Sequence, residues 1–191
     1  MQARALDMDV ITEADDKTLA EQAPADFEAF AELYRRYLCP VYRFMRSQVP
    51  DDATAEDLTA HVFFKALSSA GSYRGDGAYS SWVFRIAHNT LSTWRQRANR
   101  SAVVTEEVPD EVDPTPSPAS QVITGEARGL VWDTVAQLPP AQREVVALRY
   151  IEDFSIEEVA DITRRSRGAV RILLHRARAR LRKALDGKDI G

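Results

Sequence analysis

The chain has one cysteine in 191 residues, so no disulfide can form within it. Cys39 lies between Leu38 and Pro40 in an apolar stretch, which suits a small core side chain rather than a nucleophile. Histidine is equally scarce. His61, His88 and His175 are far apart, none has a neighbour at metal-ligand spacing, and a lone cysteine cannot complete a zinc site. Glycine-rich phosphate loops are missing. The glycines of Arg74-Gly75-Asp76-Gly77 lack the strand before and the helix after that a dinucleotide loop requires. No apolar run reaches the length of a membrane span, and the first ten residues (MQARALDMDV) contain no signal-peptide core, so a cytoplasmic location is expected. Alternating strand patterns and internal repeats are absent as well. With paired carboxylates found only in a linker (Glu106-Glu107) or on a helix surface (Glu157-Glu158), an enzymatic reading has no catalytic constellation, and no cofactor is expected.

What the chain does have is sorted charge. The net charge of −4 argues at first against nucleic acid. Yet residues 1–25 hold six acids against two bases, and 101–125 hold five acids and no base. The remainder is basic, concentrated in two acid-free stretches, Trp82–Arg100 and Arg164–Lys183.

Helical periodicity runs through most of the rest. A short helix is expected over Asp16–Ala23, stopped before Pro24. A longer one follows the cap Asp26, with Phe27, Phe30, Leu33, Tyr34, Tyr37 and Leu38 on one side and a kink at Pro40. Past a turn at Pro50–Asp52, Leu58, Val62, Phe63, Ala66 and Leu67 mark a helix over Ala53–Ser69. Residues Ser72–Ser81 form a glycine-containing loop. The next helix, Ser81–Gln96, buries Val83, Ile86, Ala87, Thr90, Leu91 and Trp94 and exposes Arg85, Asn89, Ser92, Arg95 and Gln96. Four prolines and the acids of 101–125 describe a linker. Beyond it, Leu130–Leu138 and Ala141–Tyr150 read as helices separated by Pro139-Pro140. The fold class is therefore all-α: two small helical domains joined by a flexible, acidic, proline-rich linker.

The C-terminal stretch Phe154–Leu185 carries the strongest functional signal. Ser155 and Glu158 form a capping box; Thr163-Arg164-Arg165 breaks the pattern; Ser166 caps a second helix buried along Val170, Leu174, Ala177 and Leu181. Between Arg164 and Lys183 stand nine Lys or Arg and no acid. Two helices, a tight turn and a cationic second helix describe a helix-turn-helix for a DNA major groove; an ordinary helical hairpin with a solvated basic face is the bland alternative. In Tyr73–Arg97, aromatics alternate with arginines beside a loop, which suits splayed single-stranded bases. Core packing is the competing role for Trp82 and Trp94.

Taken together, residues 16–185 resemble a bacterial RNA polymerase sigma factor of the extracytoplasmic-function group. DFEAFAELYRRYLCPVYRF resembles the start of that family's sigma-2 domain and AEDLTAHVFFKAL its core-binding helix. SYRGDGAYSSWVFRIAHNTLSTWRQR resembles the segment that melts and reads the promoter −10 element. LPPAQREVVALRYIEDFSIEEVADI with SRGAVRILLHRARARLRKAL resembles the sigma-4 domain that reads −35. The resemblance implies an N-terminal extension (1–15), a sigma-2-like domain (16–100), a linker (101–125) threading the polymerase cleft, a sigma-4-like domain (126–186) and a tail (187–191). It implies core polymerase as the partner, through the clamp helices of its largest subunit and its flap, with Glu56, Asp57, Thr59 and His61 as core-binding residues and the acidic pair Glu56 and Asp57 meeting the clamp helices. It implies −10 DNA binding by Tyr73, Arg74, Tyr79, Arg85, Asn89, Ser92, Thr93 and Arg97. It implies −35 binding by Arg143, Arg164, Ser166, Arg167, Ala169, Arg171, Ile172, Leu173 and Arg176. Members are often held by an anti-sigma protein, though no residue here identifies one.

The sequence also departs from the family. Ala60 and His61 stand where Gln and an acid are common, and Ile172 and Leu173 where a small polar residue and a base are common. An exposed Ile172 fits either a thymine methyl or a partner protein. Two other classes stay open at this stage: a stand-alone helix-turn-helix regulator binding paired half-sites as a dimer, and a basic protein-interaction adaptor.

Overall fold

Aspartates start the first three helices, because a short carboxylate can accept the backbone N–H groups that a helix N-terminus leaves unpaired. Asp15 accepts from Thr18 N–H (2.7 Å) to open α1, Asp16–Gln22. Asp26 accepts from Glu28 N–H (2.9 Å) to open α2, Phe27–Gln48, and Asp51 accepts from Thr54 N–H (2.7 Å) to open α3, Asp52–Ser68. The computed structural model describes residues 14–75, 77–102 and 134–186. The N-terminal extension except Ala14 and Asp15, nearly all of the linker, the helix start at Leu130 and the tail lie outside these residues.

Helix α2 continues past Pro40 without interruption. A short 3-10 turn, Ala70–Ser72, leads into the loop before α4, Tyr79–Ala102. Helices α1 to α4 form an N-terminal lobe around Leu33, Phe44, Met45, Val62, Val83, Phe84 and Leu91, all at most 1% exposed. Helix α1 is pinned by Asp16, which accepts from Arg36 (2.8 Å) and from the Tyr37 hydroxyl.

The C-terminal lobe begins, among the described residues, with 134–136, then α5, Pro140–Val146, with proline in its first turn where a missing N–H costs nothing. Expected to stay α-helical to Tyr150, the chain instead widens to a π-turn, Ala147–Ile151, closed by Glu152 N–H to Ala147 O (3.1 Å). Ser155 and Glu158 then make the complete capping box of α6, Ile156–Thr163. Arg164, at φ 54°, takes the left-handed conformation that ends α6, and Ser166 Oγ accepts from Ala169 N–H (3.1 Å) to start α7, Arg167–Asp186. No strand occurs among the described residues.

The two lobes pack against each other. The Phe84 ring is edge-on to Phe44 of its own lobe (5.6 Å) and to Phe154 of the other (4.9 Å). Around this apolar joint, Arg43 holds Glu152, His88 Nδ1 lies 2.7 Å from Glu144 Oε1, Arg95 Nη1 lies 3.9 Å from Glu144 Oε2, and Ser81 reaches Glu158 at 3.4 Å. Arg95, expected on an open face, is thus a joint residue. It shares the α4 stripe of Ser81, Phe84 and His88, and periodicity cannot tell a stripe facing water from one facing a second lobe.

Candidate nucleic-acid interface

The C-terminal surface follows from the turn at Arg164. By reversing the chain, the left-handed residue lets Val170, Leu174 and Ala177 of α7, at most 2% exposed, pack into the lobe. The other side of α7 faces water with Arg167, Arg171, Arg176, Arg178 and Arg182. Arg167 is shared with Glu157 (3.5 Å) in a pair exposed on both sides; Arg171 and Arg176 have no ion pair among the described residues. Arg164 and Ser166 are also exposed, and Ile172 is 54% exposed. Ala169 is half-buried. Leu173 is half-buried and packed against the core, so it does not belong to the open face.

Arg143 lies elsewhere. Its guanidinium donates to the carbonyls of Ala136, Leu138 (3.1 Å) and, across the joint, Gln48 (3.5 Å), and burial draws its pKa down. It ties the start of the C-terminal lobe together instead of standing beside α7.

The N-terminal surface is built on α4 and the loop before it. Gly75 and Gly77 supply the positive φ angles (71° and 111°) that the loop needs, and Tyr73 Oη donates to Gly77 O (2.8 Å). Arg74, Arg85, Thr93 and Arg97 are exposed; Asn89 and Ser92 are half-exposed on the same side. Tyr79 is not on this surface. At 4% exposure its ring lies among Tyr37 (5.2 Å), Tyr73 (5.8 Å) and Trp82 (5.4 Å), and burial raises its phenol pKa. The first residue of α4 is turned inward to close the core under the loop. Trp82 and Trp94 are partly buried against the core.

A shallow pocket opens beside Asn89, lined by Lys65, Ser68, Ser69 and Ile86, with Lys65 Nζ donating to Thr90 Oγ1 (3.2 Å). These lining residues escaped the sequence reading. They come from two helices, and only the packing of α3 against α4 brings an ammonium, two hydroxyls and an amide to one edge. Such a set of donors and acceptors around an apolar floor can hold a planar, hydrogen-bonding ring.

On α3, Asp57 and His61 are exposed and Glu56 is half-exposed, with His61 Nδ1 2.9 Å from Asp57 O. Thr59 is 3% exposed and its hydroxyl donates to Ala55 O (2.7 Å), so it faces the core and leaves this surface. Phe64, 72% exposed, and Leu67 add an apolar end to the same helix, a feature a helical wheel built on Leu67 as an inward residue had hidden. Among the described residues no helix is long and apolar enough to cross a membrane, and no group of three His, Cys, Asp or Glu is placed to hold a metal ion.

Comparison with known proteins agrees with this layout. The family model for sigma-70 region 2 matches residues 33–101, and the model for sigma-70 region 4 matches 128–181. The RNA polymerase sigma-H factor of Pseudomonas aeruginosa is 30% identical over 187 residues, 93% of this chain and 97% of its own. The extracytoplasmic-function sigma factor BldN of Streptomyces coelicolor is 33% identical over 162 residues, which cover 83% of this chain and 61% of that longer protein. The solved structure of CnrH in complex with the cytosolic domain of CnrY superposes with a TM-score of 0.68 at 26% identity, covering 91% of this chain and 99% of that one. The chain therefore belongs to the sigma-70 family, in its extracytoplasmic-function group, whose members direct RNA polymerase to promoters.

Proposed function

We propose that this chain is a non-catalytic, cytoplasmic specificity subunit that binds core RNA polymerase, recognises −35 duplex with its C-terminal lobe and captures melted −10 bases with its N-terminal lobe. One observation carries the reading: a single molecule presents two separate polar, cation-bearing surfaces of different character. Helix α7 offers exposed arginines, of which Arg171 and Arg176 have no ion pair among the described residues, along a face suited to a major groove. The α3–α4 edge offers a pocket with Asn89 and Lys65, and exposed Arg85 stands one helical turn before Asn89, suited to an unstacked base and its backbone.

In this reading residues 16–100 act as the sigma-2-like domain and 126–186 as the sigma-4-like domain, joined by the linker. Glu56, Asp57 and His61, with Phe64 beside them, meet the clamp helices of the largest polymerase subunit, and the C-terminal lobe meets the flap. Tyr73, Arg74, Arg85, Asn89, Ser92, Thr93 and Arg97 follow the non-template strand. Arg164, Ser166, Arg167, Ala169, Arg171, Ile172 and Arg176 face the −35 groove. CnrH is solved in complex with the cytosolic domain of another protein, CnrY, which supports a further protein partner for this chain, and an anti-sigma protein is the partner we propose. Each lobe alone holds DNA weakly, and mounting both on one enzyme multiplies their selectivity.

The test is reconstitution of the full chain with core polymerase, followed by transcript start mapping. Starts that share two spaced elements are expected, with little promoter binding by the free chain. Tight dimeric binding to an operator without polymerase would refute the proposal.

A further inference from the structure

Helix α7 carries one large apolar side chain where its neighbours on the open face are small or polar. Ile172 is 54% exposed, while Leu173 beside it packs against the core. At about 100° per residue, Gly168 and Ala179 fall nearly in line with Ile172 along the helix. Arg171 and Arg178 fall on one flank and Arg176 on the other. The space beside Ile172 is open: a Cβ placed on Gly168 would meet nothing nearer than Ser166 Oγ at 3.9 Å. Exposed His175 also falls on this face, about 60° from Ile172 on the side of Arg171, so Ile172, six residues into the helix, is a single large apolar side chain between two guanidinium edges.

Resting on the promoter function proposed above, we infer that Ile172 is a specificity-determining residue that reads the 5-methyl group of a thymine in the −35 major groove. The groove offers one apolar feature on its floor, the thymine methyl, and phosphates along both walls. That arrangement is the complement of an apolar side chain between cationic edges. Base edges that present only amino or carbonyl groups would lose water against Ile172 without gaining a partner, so they are selected against.

A protein covering Ile172 would have to bury Arg171 and Arg176 as well, and neither has an ion pair among the described residues. It would need acids on both sides of an apolar contact. Duplex DNA supplies both charges by its construction.

The experiment uses holoenzyme reconstituted from core polymerase and the full chain, on a promoter defined by start mapping. Each −35 thymine is replaced in turn by deoxyuridine, which removes the methyl and keeps the base pairing. One replacement is expected to weaken promoter binding about fourfold, the transfer value of one buried methyl. That same replacement should have no effect on the Ile172→Ala holoenzyme, while Ile172→Val retains the response. In a selection from randomised −35 sequences, Ile172→Ser should relax preference at that base pair and leave the others unchanged.

Indifference to deoxyuridine at every −35 thymine, in a holoenzyme that initiates normally, overturns this inference alone. So does an Ile172→Ala chain that captures less core polymerase with its base preferences intact, since that marks a protein contact. A holoenzyme that initiates at no defined site overturns the promoter function and this inference with it.

Discussion

Arg43, in the middle of α2, grips Glu152, 109 residues further along the chain, through hydrogen bonds of 3.3 Å from Nε and 3.0 Å from Nη2. The Glu152 side chain is 4% exposed and that of Arg43 35%. Burial pushes the Glu152 carboxyl up and Arg43 pulls it down, with burial prevailing; Arg43 is itself raised, chiefly by its bond to Glu152. A carboxylate held this way is stabilised by one partner belonging to the other lobe.

Removing that partner should therefore open the joint. Arg43→Ala is expected to cost about 2 kcal/mol, between the values for surface and buried pairs. The radius of gyration of the free chain in small-angle scattering should rise. Glu152→Gln, which keeps the shape and removes the charge, should cost less. An unchanged radius with Arg43→Ala would show that the Phe84–Phe154 contact holds the lobes alone.

Tyr79 distinguishes a core aromatic from a DNA contact. Its burial among three other rings predicts that Tyr79→Ala lowers unfolding stability by about 3 kcal/mol, as for other large-to-small core changes. Chemical denaturation checks this. A variant with parental stability and defective −10 melting would return Tyr79 to the DNA surface.

The capping box makes an acid-sensitive contribution. Desolvation raises the Glu158 carboxyl, but hydrogen bonds from Ser155 N–H, Ser155 Oγ and Ser81 outweigh it and hold the pKa below the ordinary 4.5. A depressed folded-state pKa means that the stabilisation is present above pH 4.5 and is lost as pH falls through the folded value. Glu158→Gln should thus be less stable than the parent by about 1 kcal/mol at pH 7, the usual scale of a helix cap. In guanidinium titrations that difference should shrink once the pH passes below 4.5.

The two proposed DNA surfaces should fail differently. Asn89→Ala should reduce permanganate reactivity of melted −10 thymines while −35 binding stays intact. Arg171→Ala should weaken −35 binding and reduce its salt slope by about 1, the value for one phosphate contact. Equal melting by Asn89→Ala and the parent would remove Asn89 from the single-strand surface.

Most helix limits and caps could be read from residue type, because a cap is a local event. Asp26, Ser155 and Ser166 accept where their spacing to the following residues implies, and Asp15 and Asp51, which the sequence reading passed over, cap their helices in the same way. The cationic face of α7 was equally legible, since nine bases without an acid cannot all be buried. Errors fell where two elements meet. Thr59 and Tyr79 are polar-tipped residues at helix positions that resemble a surface, and each is turned inward because its hydroxyl or ring finds a place beneath a neighbour. Leu67, assigned inward by its period, lies on the edge of the stripe and is 43% exposed.

By itself, then, the chain's order of residues determined the helices, their caps, the tight turn before α7 and the separation of charge, all consequences of chemistry within a few residues. Only the tertiary structure decided that Arg95, Arg143, Glu144 and Glu152 face a joint between lobes, and that Lys65 and Asn89 share one pocket. Those pairings lie 24 or more positions apart, where no period or local propensity acts. Mutual burial and charge complementarity choose among the surfaces that helical spacing alone leaves equivalent.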